Sequence, residues 1–388
     1  MGKKILALQV GWRENYSLFF NLAKIEKNIG NSISVKCQTD FLGKDLAGWP
    51  KRLFGTVAER AGSNRNPSIK YKETCSFGKF AILAKALFPG SGMSFLVYSL
   101  IIQIFSLSKI RNADLVVGYA RELFLTAALL RKPYIIVQHD VIFFSALSPE
   151  RGRTLTDRVI SLINLFELRR AKAIVVHSNY SRDCLLEFTR GICPPIHVIR
   201  PTLRLGASNT IGLTAKYKGD LIDVCFIGRG TCEKGFHIYE ELAAYHRSDG
   251  RFRFHAFGPS SSINTKEDDI VHHGWVANQE LHKFLRRGTV LIFPTLSDGF
   301  GIVQYDVLRY GGIVISSETC GIPANPSIGK YVVEENTAHS FSSVLDVIPK
   351  DFERGRKERT KSFLQYAVSD EISLAWDHLI RQVTVKII

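Results

Sequence analysis

Twice along this chain, short apolar runs alternate with helix-patterned segments, and that repetition confines it to a small set of architectures. In the first half, residues 3–10, 32–37, 114–118, 134–137, 173–176 and 196–199 read as strands, with helices near 16–29, 121–130, 154–170 and 180–188. Strands that are apolar throughout and joined by helices build parallel sheets covered on both faces. The stretch 201–220, polar and holding Gly206, Ser208, Asn209 and Gly212, reads as a linker. A second alternation follows, with strands at 223–227, 253–257, 290–293 and 313–316 and helices near 235–246, 279–286 and 302–310. The expected fold class is α/β, two open parallel-sheet domains facing a cleft, with ligands at the carboxyl ends of the strands. Their expected bounds are 1–205 and 206–369, with a final helix over 370–388 packing back onto the first. At 388 residues the chain is long enough for a core in each domain. Residues 43–92, basic and turn-rich, show no clean periodicity.

Charge is distributed unevenly. Residues 1–200 hold 29 basic and 14 acidic side chains, whereas residues 201–388 hold 22 of each, so the first half carries the whole net charge of +15. An anionic partner for that half is expected. Residues 44–132 hold 14 basic and 5 acidic groups around the apolar segments 80–88 and 93–107, a combination suited to an anionic membrane surface. The segment 93–107 is interrupted by Ser94, Ser99, Gln103 and Ser106 and falls short of the ~20 apolar residues a spanning helix needs. It reads as a buried or interfacial helix. The seven cysteines form no CxxC pair, and the apolar run after Lys3 and Lys4 is too short for a signal-peptide core. A reduced, cytoplasmic protein is expected, peripheral on the inner face of the cytoplasmic membrane. Nucleic acid is not an expected partner, because no reader motif or aromatic-interleaved basic stripe accompanies the charge.

Two motifs carry the chemistry. In 225–236, CFIGRGTCEKGF, a glycine turn and two cations follow a strand directly and a helix comes next. Gly228 and Gly230 let backbone amides approach a ligand, and Arg229, Lys234 and the helix N-terminus favour negative charge, an assembly suited to a diphosphate. The spacing is not that of a dinucleotide fingerprint, since Glu233 stands where a glycine is required. In 293–312, FPTLSDGFGIVQYDVLRYGG, Asp298 closes a strand-to-loop step and Gly299, Phe300 and Gly301 present amides at a helix start. Asp306 follows eight positions after Asp298, and a carboxylate accepting two hydrogen bonds suits the vicinal diol of a ribose or sugar. No metal is expected, because no His, Cys or Asp cluster has ligand spacing; His272 and His273 are adjacent.

With these motifs in order, nearly the whole chain, and most strongly 223–321, resembles the retaining glycosyltransferases of family 4, the group 1 glycosyltransferases with the GT-B fold of two Rossmann-like domains. The resemblance implies that Arg229 and Lys234 hold the diphosphate of a nucleotide-sugar donor. It further implies that Asp298 with the Gly299, Phe300 and Gly301 amides binds the donor sugar, and that Asp306 binds the ribose. In the first half, IIVQHD at 135–140 is similar to the family's strand ending in a histidine that touches the donor sugar, which makes His139 the candidate. Gly11 occupies the loop after the first strand, where the family often has paired glycines, although Trp12 follows here. Both acids are aspartate where the family's commonest residue is glutamate, shortening each reach by about 1.5 Å.

The implied activity is transfer of a sugar, with retention, from a nucleotide diphosphate sugar to a hydroxyl of a glycan or glycolipid acceptor in bacterial surface polysaccharide biosynthesis. No cofactor beyond the donor is implied. Two other readings stay open: a sugar-nucleotide epimerase on the same fold, and a catalytically weak binding subunit of a glycosyltransferase complex, motivated by the short Asp306.

Overall fold

The computed structural model describes residues 3–10, 33–40, 100, 103–104, 107–119, 124–138, 155–201, 221–258, 269–348, 355–367 and 370–385. The chain divides into two compact units, Met1–Arg204 with Ser369–Ile388, and Leu205–Val368.

In the first unit the described elements are β1 (Lys3–Val10), β2 (Ile33–Asp40), α1 (Leu107–Arg111), β3 (Leu115–Tyr119), α2 (Leu125–Leu129), β4 (Tyr134–Gln138), α3 (Leu155–Arg170), β5 (Ala173–Val176), α4 (Asn179–Thr189) and β6 (Ile196–Val198). The strands form one sheet in the order 2-1-3-4-5-6, every pair parallel. Strands β4 and β5 are buried along their whole length, as a sheet covered on both faces requires. On one face Val116, Ile136, Ile174 and Val176 pack with Phe124, just before α2, and with Leu168 and Leu185 from α3 and α4. The other face, Leu115, Val117, Ile135, Val137 and Val175, packs against Ile372, Trp376, Leu379 and Ile380 of the last helix. Ser178 caps α4, its hydroxyl accepting from the Ser181 amide at 3.0 Å.

The second unit holds β7 (Ile222–Ile227), a 3-10 turn (Cys232–Lys234), α5 (Phe236–Tyr245), β8 (Phe252–Phe257), β9 (Ile270–Gly274), α6 (Asn278–Leu285), β10 (Val290–Phe293), α7 (Ile302–Leu308), β11 (Ile313–Ser316), β12 (Lys330–Val332), α8 (Ala338–Asp346) and α9 (Arg356–Ala367). The remaining helix, α10 (Asp370–Val385), is the one that packs in the first unit. The second sheet is also all parallel, in the order 12-11-10-7-8-9. Strand order reverses at β7, which lies between β10 and β8, and the loops leaving β7 and β10 therefore emerge side by side, where an open sheet binds its ligand.

Sequence and structure differ chiefly at edges. Strand β2 continues to Asp40, and β9 and β12 were not legible as strands: β9 buries Ile270 but exposes Val271, His272 and His273, and β12 is three residues long. His272 and His273 thus stand on an edge strand. Helices α8 and α9 were not expected either. From the segment 93–107, Gln103 is buried, its carbonyl oxygen accepting from the Thr126 amide at 2.6 Å, whereas Ile104 is exposed. Residues 43–92, the helix near 16–29 and most of the linker lie outside the described residues. No helix among the described residues is long and apolar enough to cross a membrane.

Candidate functional site

The loop after β7 is shaped by packing before any ligand is considered. Ile227 ends a buried strand; the Gly228 amide then donates to the Phe257 carbonyl at 2.9 Å, tying the exit of β7 to that of β8. The chain turns through Cys232–Lys234 to Gly235, whose φ of +72° is left-handed, and a Cβ there would overlap the Pro294 carbonyl at the end of β10. Only glycine satisfies both conditions. This approach joins the two loops: the Leu296 amide donates to the Glu233 carbonyl at 2.8 Å, and Lys234 Nζ reaches the Asp298 carboxylate (Oδ2) at 2.9 Å.

Asp298 is held from three sides. Its amide donates to the Thr319 carbonyl at 3.0 Å, its Oδ2 pairs with Lys234, and its Oδ1 accepts the amides of Phe300 at 3.2 Å and Gly301 at 2.6 Å. The amides at the start of α7 that the sequence offered to a sugar are, for two of the three residues, directed at Asp298 itself. A carboxylate receiving two amides at a helix start has the favoured sign for the dipole. Gly301 caps α7 with φ +72°, close against Gln304 and Phe293. Phe300 is buried and meets Tyr305 edge to face at 5.0 Å.

The two cations differ. Arg229 is 60% exposed and lies 3.6 Å from Glu233, whereas Lys234 is 21% exposed and also lies 3.8 Å from Glu233. Glu233 therefore sits between them, a role that its i+4 spacing from Arg229 could have signalled. The Thr231 hydroxyl in the same loop is buried without a hydrogen-bond partner among the described residues. Asp306, half-buried on α7, lies 3.9 Å from Arg309. The structure thus joins Arg229, Glu233, Lys234 and Asp298 by direct ion pairs and places Asp306 one helix turn past the Gly301 cap. His139 and Gly11 lie outside the described residues.

One cluster has a ligand geometry that sequence spacing did not show. His246, Asp249 and Asp346 offer ligand atoms within 4.8 Å of one another. Arg251 pairs with both carboxylates at 2.6 Å, and His246 Nε2 is 2.9 Å from the Ser342 hydroxyl, so these groups clip α5 to α8. Arg251 holds the Asp249 carboxyl far below the usual carboxylate range.

Comparison with known proteins bears on this unit most directly. Residues 222–348, which contain both loops, match the family model described as "Glycosyl transferases group 1". The match covers less than half of the chain and likens its second unit to group 1 glycosyltransferases, without selecting family 4 within that group. A curated protein of Klebsiella pneumoniae, described as an uncharacterized 41.2 kDa protein in the cps region, is 22% identical over 254 residues, spanning 63% of this chain and 69% of its own. Among solved structures, sucrose-phosphate synthase from Thermosynechococcus elongatus superposes with a TM-score of 0.64 at 13% identity, covering 100% of both chains. The lipopolysaccharide outer core galactosyltransferase WaaB in its apo form gives 0.61 at 14% identity, covering 98% of this chain and 99% of its own. HepE of Anabaena, in complex with UDP and glucose, gives 0.60 at 13% identity, covering 98% and 100%. These likenesses establish the GT-B fold.

Proposed function

We propose that the protein is a retaining glycosyltransferase that moves a sugar from a nucleotide diphosphate sugar to a hydroxyl of a lipid-linked, lipopolysaccharide or exopolysaccharide acceptor. The observation that carries this reading is the Lys234–Asp298 pair at 2.9 Å, which brings the diphosphate-type loop and the sugar-type loop into contact at the switch point of the second sheet. Arg229 and Lys234 take the donor diphosphate, and the Thr231 hydroxyl, unpartnered among the described residues, gives that loop a further polar contact. When the diphosphate arrives, Lys234 exchanges part of its pairing with Asp298 for the phosphate. Asp298 then faces the sugar while its other oxygen stays fixed by the Phe300 and Gly301 amides. Asp306 receives the ribose hydroxyls, and His139 and Gly11 serve the donor sugar.

The transition state is oxocarbenium-like, with negative charge growing on the departing diphosphate. The two cations and the loop amides stabilise that charge from fixed positions, the kind of preorganised electrostatics that dominates many enzymes. No metal takes part in this scheme. The support for a surface-glycan acceptor is that WaaB is a lipopolysaccharide outer core galactosyltransferase and the Klebsiella relative lies in a cps region. HepE in complex with UDP and glucose supports the donor class. The basic first half, with 14 basic and 5 acidic groups in 44–132, docks on anionic lipid to reach such an acceptor.

A thermal-shift panel of nucleotides and nucleotide sugars tests the reading. A true donor at 100 times its dissociation constant adds ~2.7 kcal/mol of stability. Absence of a shift with every member of the panel rejects it, and consumption of a donor with no acceptor present would favour the epimerase.

A further inference from the structure

Lys330 is a charged side chain where the fold gives a charge little reason to be. It begins the edge strand β12, yet it is fully buried, and among the described residues no carboxylate pairs with it. Its ammonium donates instead to the Ser316 hydroxyl on β11 and to the Tyr331 carbonyl at 3.2 Å, and lies 3.9 Å from Cys320 Sγ. Burial alone pushes an amine toward its neutral form, and Lys330 is lowered to about 8. Such a group is expensive to keep, and hydrophobic replacement of buried charges is often neutral or stabilising.

What the ammonium touches leads directly to the Asp298 loop. Cys320 Sγ lies 3.0 Å from the Ser316 hydroxyl and 3.3 Å from the Ser317 carbonyl, closing the turn 316–320 around the lysine. Ser317 and Thr319 hydroxyls donate to the Thr295 carbonyl at 2.6 Å each, and Thr319 accepts the Asp298 amide at 3.0 Å. Gly321 is pressed against the loop so closely that a Cβ would fall 2.6 Å from Phe300 Cα. The turn that Lys330 organises is therefore the bed on which residues 298–300 lie.

We infer that Lys330 is a positioning residue, holding the 316–321 turn so that the Asp298 loop is preset for its ligand. Its identification as a sugar-site support rests on the reading proposed above; its structural effect on the loop does not. The site it acts on needs geometry good to about half an ångström, which buried supporting groups provide.

The test uses the full chain with Lys330→Met, which keeps the stem and removes the ammonium, and Ser316→Ala, which removes its hydroxyl partner. Hydrogen exchange should quicken at least 10-fold at the amides of Asp298, Phe300 and Gly301 in Lys330→Met, while the urea midpoint and exchange in β7 and β10 stay at wild-type values. Ser316→Ala should reproduce the same local pattern. Unchanged exchange at 298–301 in both variants overturns the inference, whether or not the protein uses nucleotide sugars. Faster exchange throughout 222–348 with a lowered midpoint also overturns it, since that is what a purely structural lysine gives. For a nucleotide sugar that shifts wild type, Lys330→Met should weaken binding about 10-fold while free nucleotide diphosphate binds as before. Equal loss of both ligands would remove the sugar-site role, and no response of wild type to any nucleotide sugar would reject the donor reading instead.

Discussion

The Lys234–Asp298 pair makes a prediction that separates a built site from two surface charges that happen to meet. At 2.9 Å and an effective dielectric constant of ~20, the direct attraction is about 6 kcal/mol. Both groups are only about one-fifth exposed, so each also loses hydration, which offsets most of that figure. A coupling of ~1–3 kcal/mol should remain, the range found for groups that share a network. The perturbations are Lys234→Met and Asp298→Asn, alone and together. Asparagine keeps an oxygen for the Phe300 and Gly301 amides, so that change removes the charge and spares those two hydrogen bonds. Urea unfolding followed by far-UV circular dichroism gives the four stabilities, and the double variant should be more stable than the sum of the single losses implies. Coupling below ~0.3 kcal/mol would refute the reasoning, because additive losses mean no shared interaction. Under the proposed activity, Lys234→Ala should raise the transfer barrier by roughly 2–4 kcal/mol, as the loss of one stabilising contact to developing charge does.

Other outcomes follow from the same geometry. Gly235→Ala should destabilise the second unit by roughly 2–4 kcal/mol, from left-handed strain and overlap with the Pro294 carbonyl, and urea midpoints measure it. Asp306→Asn should weaken free nucleotide diphosphate in calorimetry, whereas Asp298→Asn should chiefly slow transfer; unchanged binding by the first would remove Asp306 from the ribose. His177, buried with Nδ1 2.8 Å from the Ile199 carbonyl, is lowered to about 4 by desolvation. Below pH 6.5 the unfolded chain takes up a proton that the fold refuses, so stability falls by ~1.4 kcal/mol per pH unit down to about 4, and His177→Gln should flatten that slope. Co-sedimentation should need anionic vesicles, fall with salt, and weaken when Lys70, Lys72, Lys79 and Lys85 become Glu; equal pelleting with neutral vesicles would remove the membrane.

How much of this was legible in the sequence depends on what each feature needs. Central strands such as β4, β5, β10 and β11 are buried from end to end, so their apolar runs mark them without any partner being known. Strand β9 could not be read, because an edge strand with one buried residue among exposed histidines carries neither an apolar run nor alternation. The candidate residues of the second unit lay in motifs of fixed spacing, and ion pairs through Glu233 link Arg229, Lys234 and Asp298. The direction of the Phe300 and Gly301 amides toward Asp298 is a matter of loop geometry that residue types leave open. Lys330 was invisible for a different reason: a lysine beside Tyr331 and Val332 looks like an edge-strand charge, and only packing reveals that it is buried.

Calorimetry of a free nucleotide diphosphate against wild type, Arg229→Ala and Lys234→Ala tests the central claim most directly. The proposal places the diphosphate on both cations, and each charge-assisted contact is worth ~1.5–3 kcal/mol. Wild type should therefore bind at least 10-fold more tightly than either variant, with all three folded to the same extent at the assay temperature. Equal affinity in the three proteins would place the diphosphate elsewhere and contradict the account.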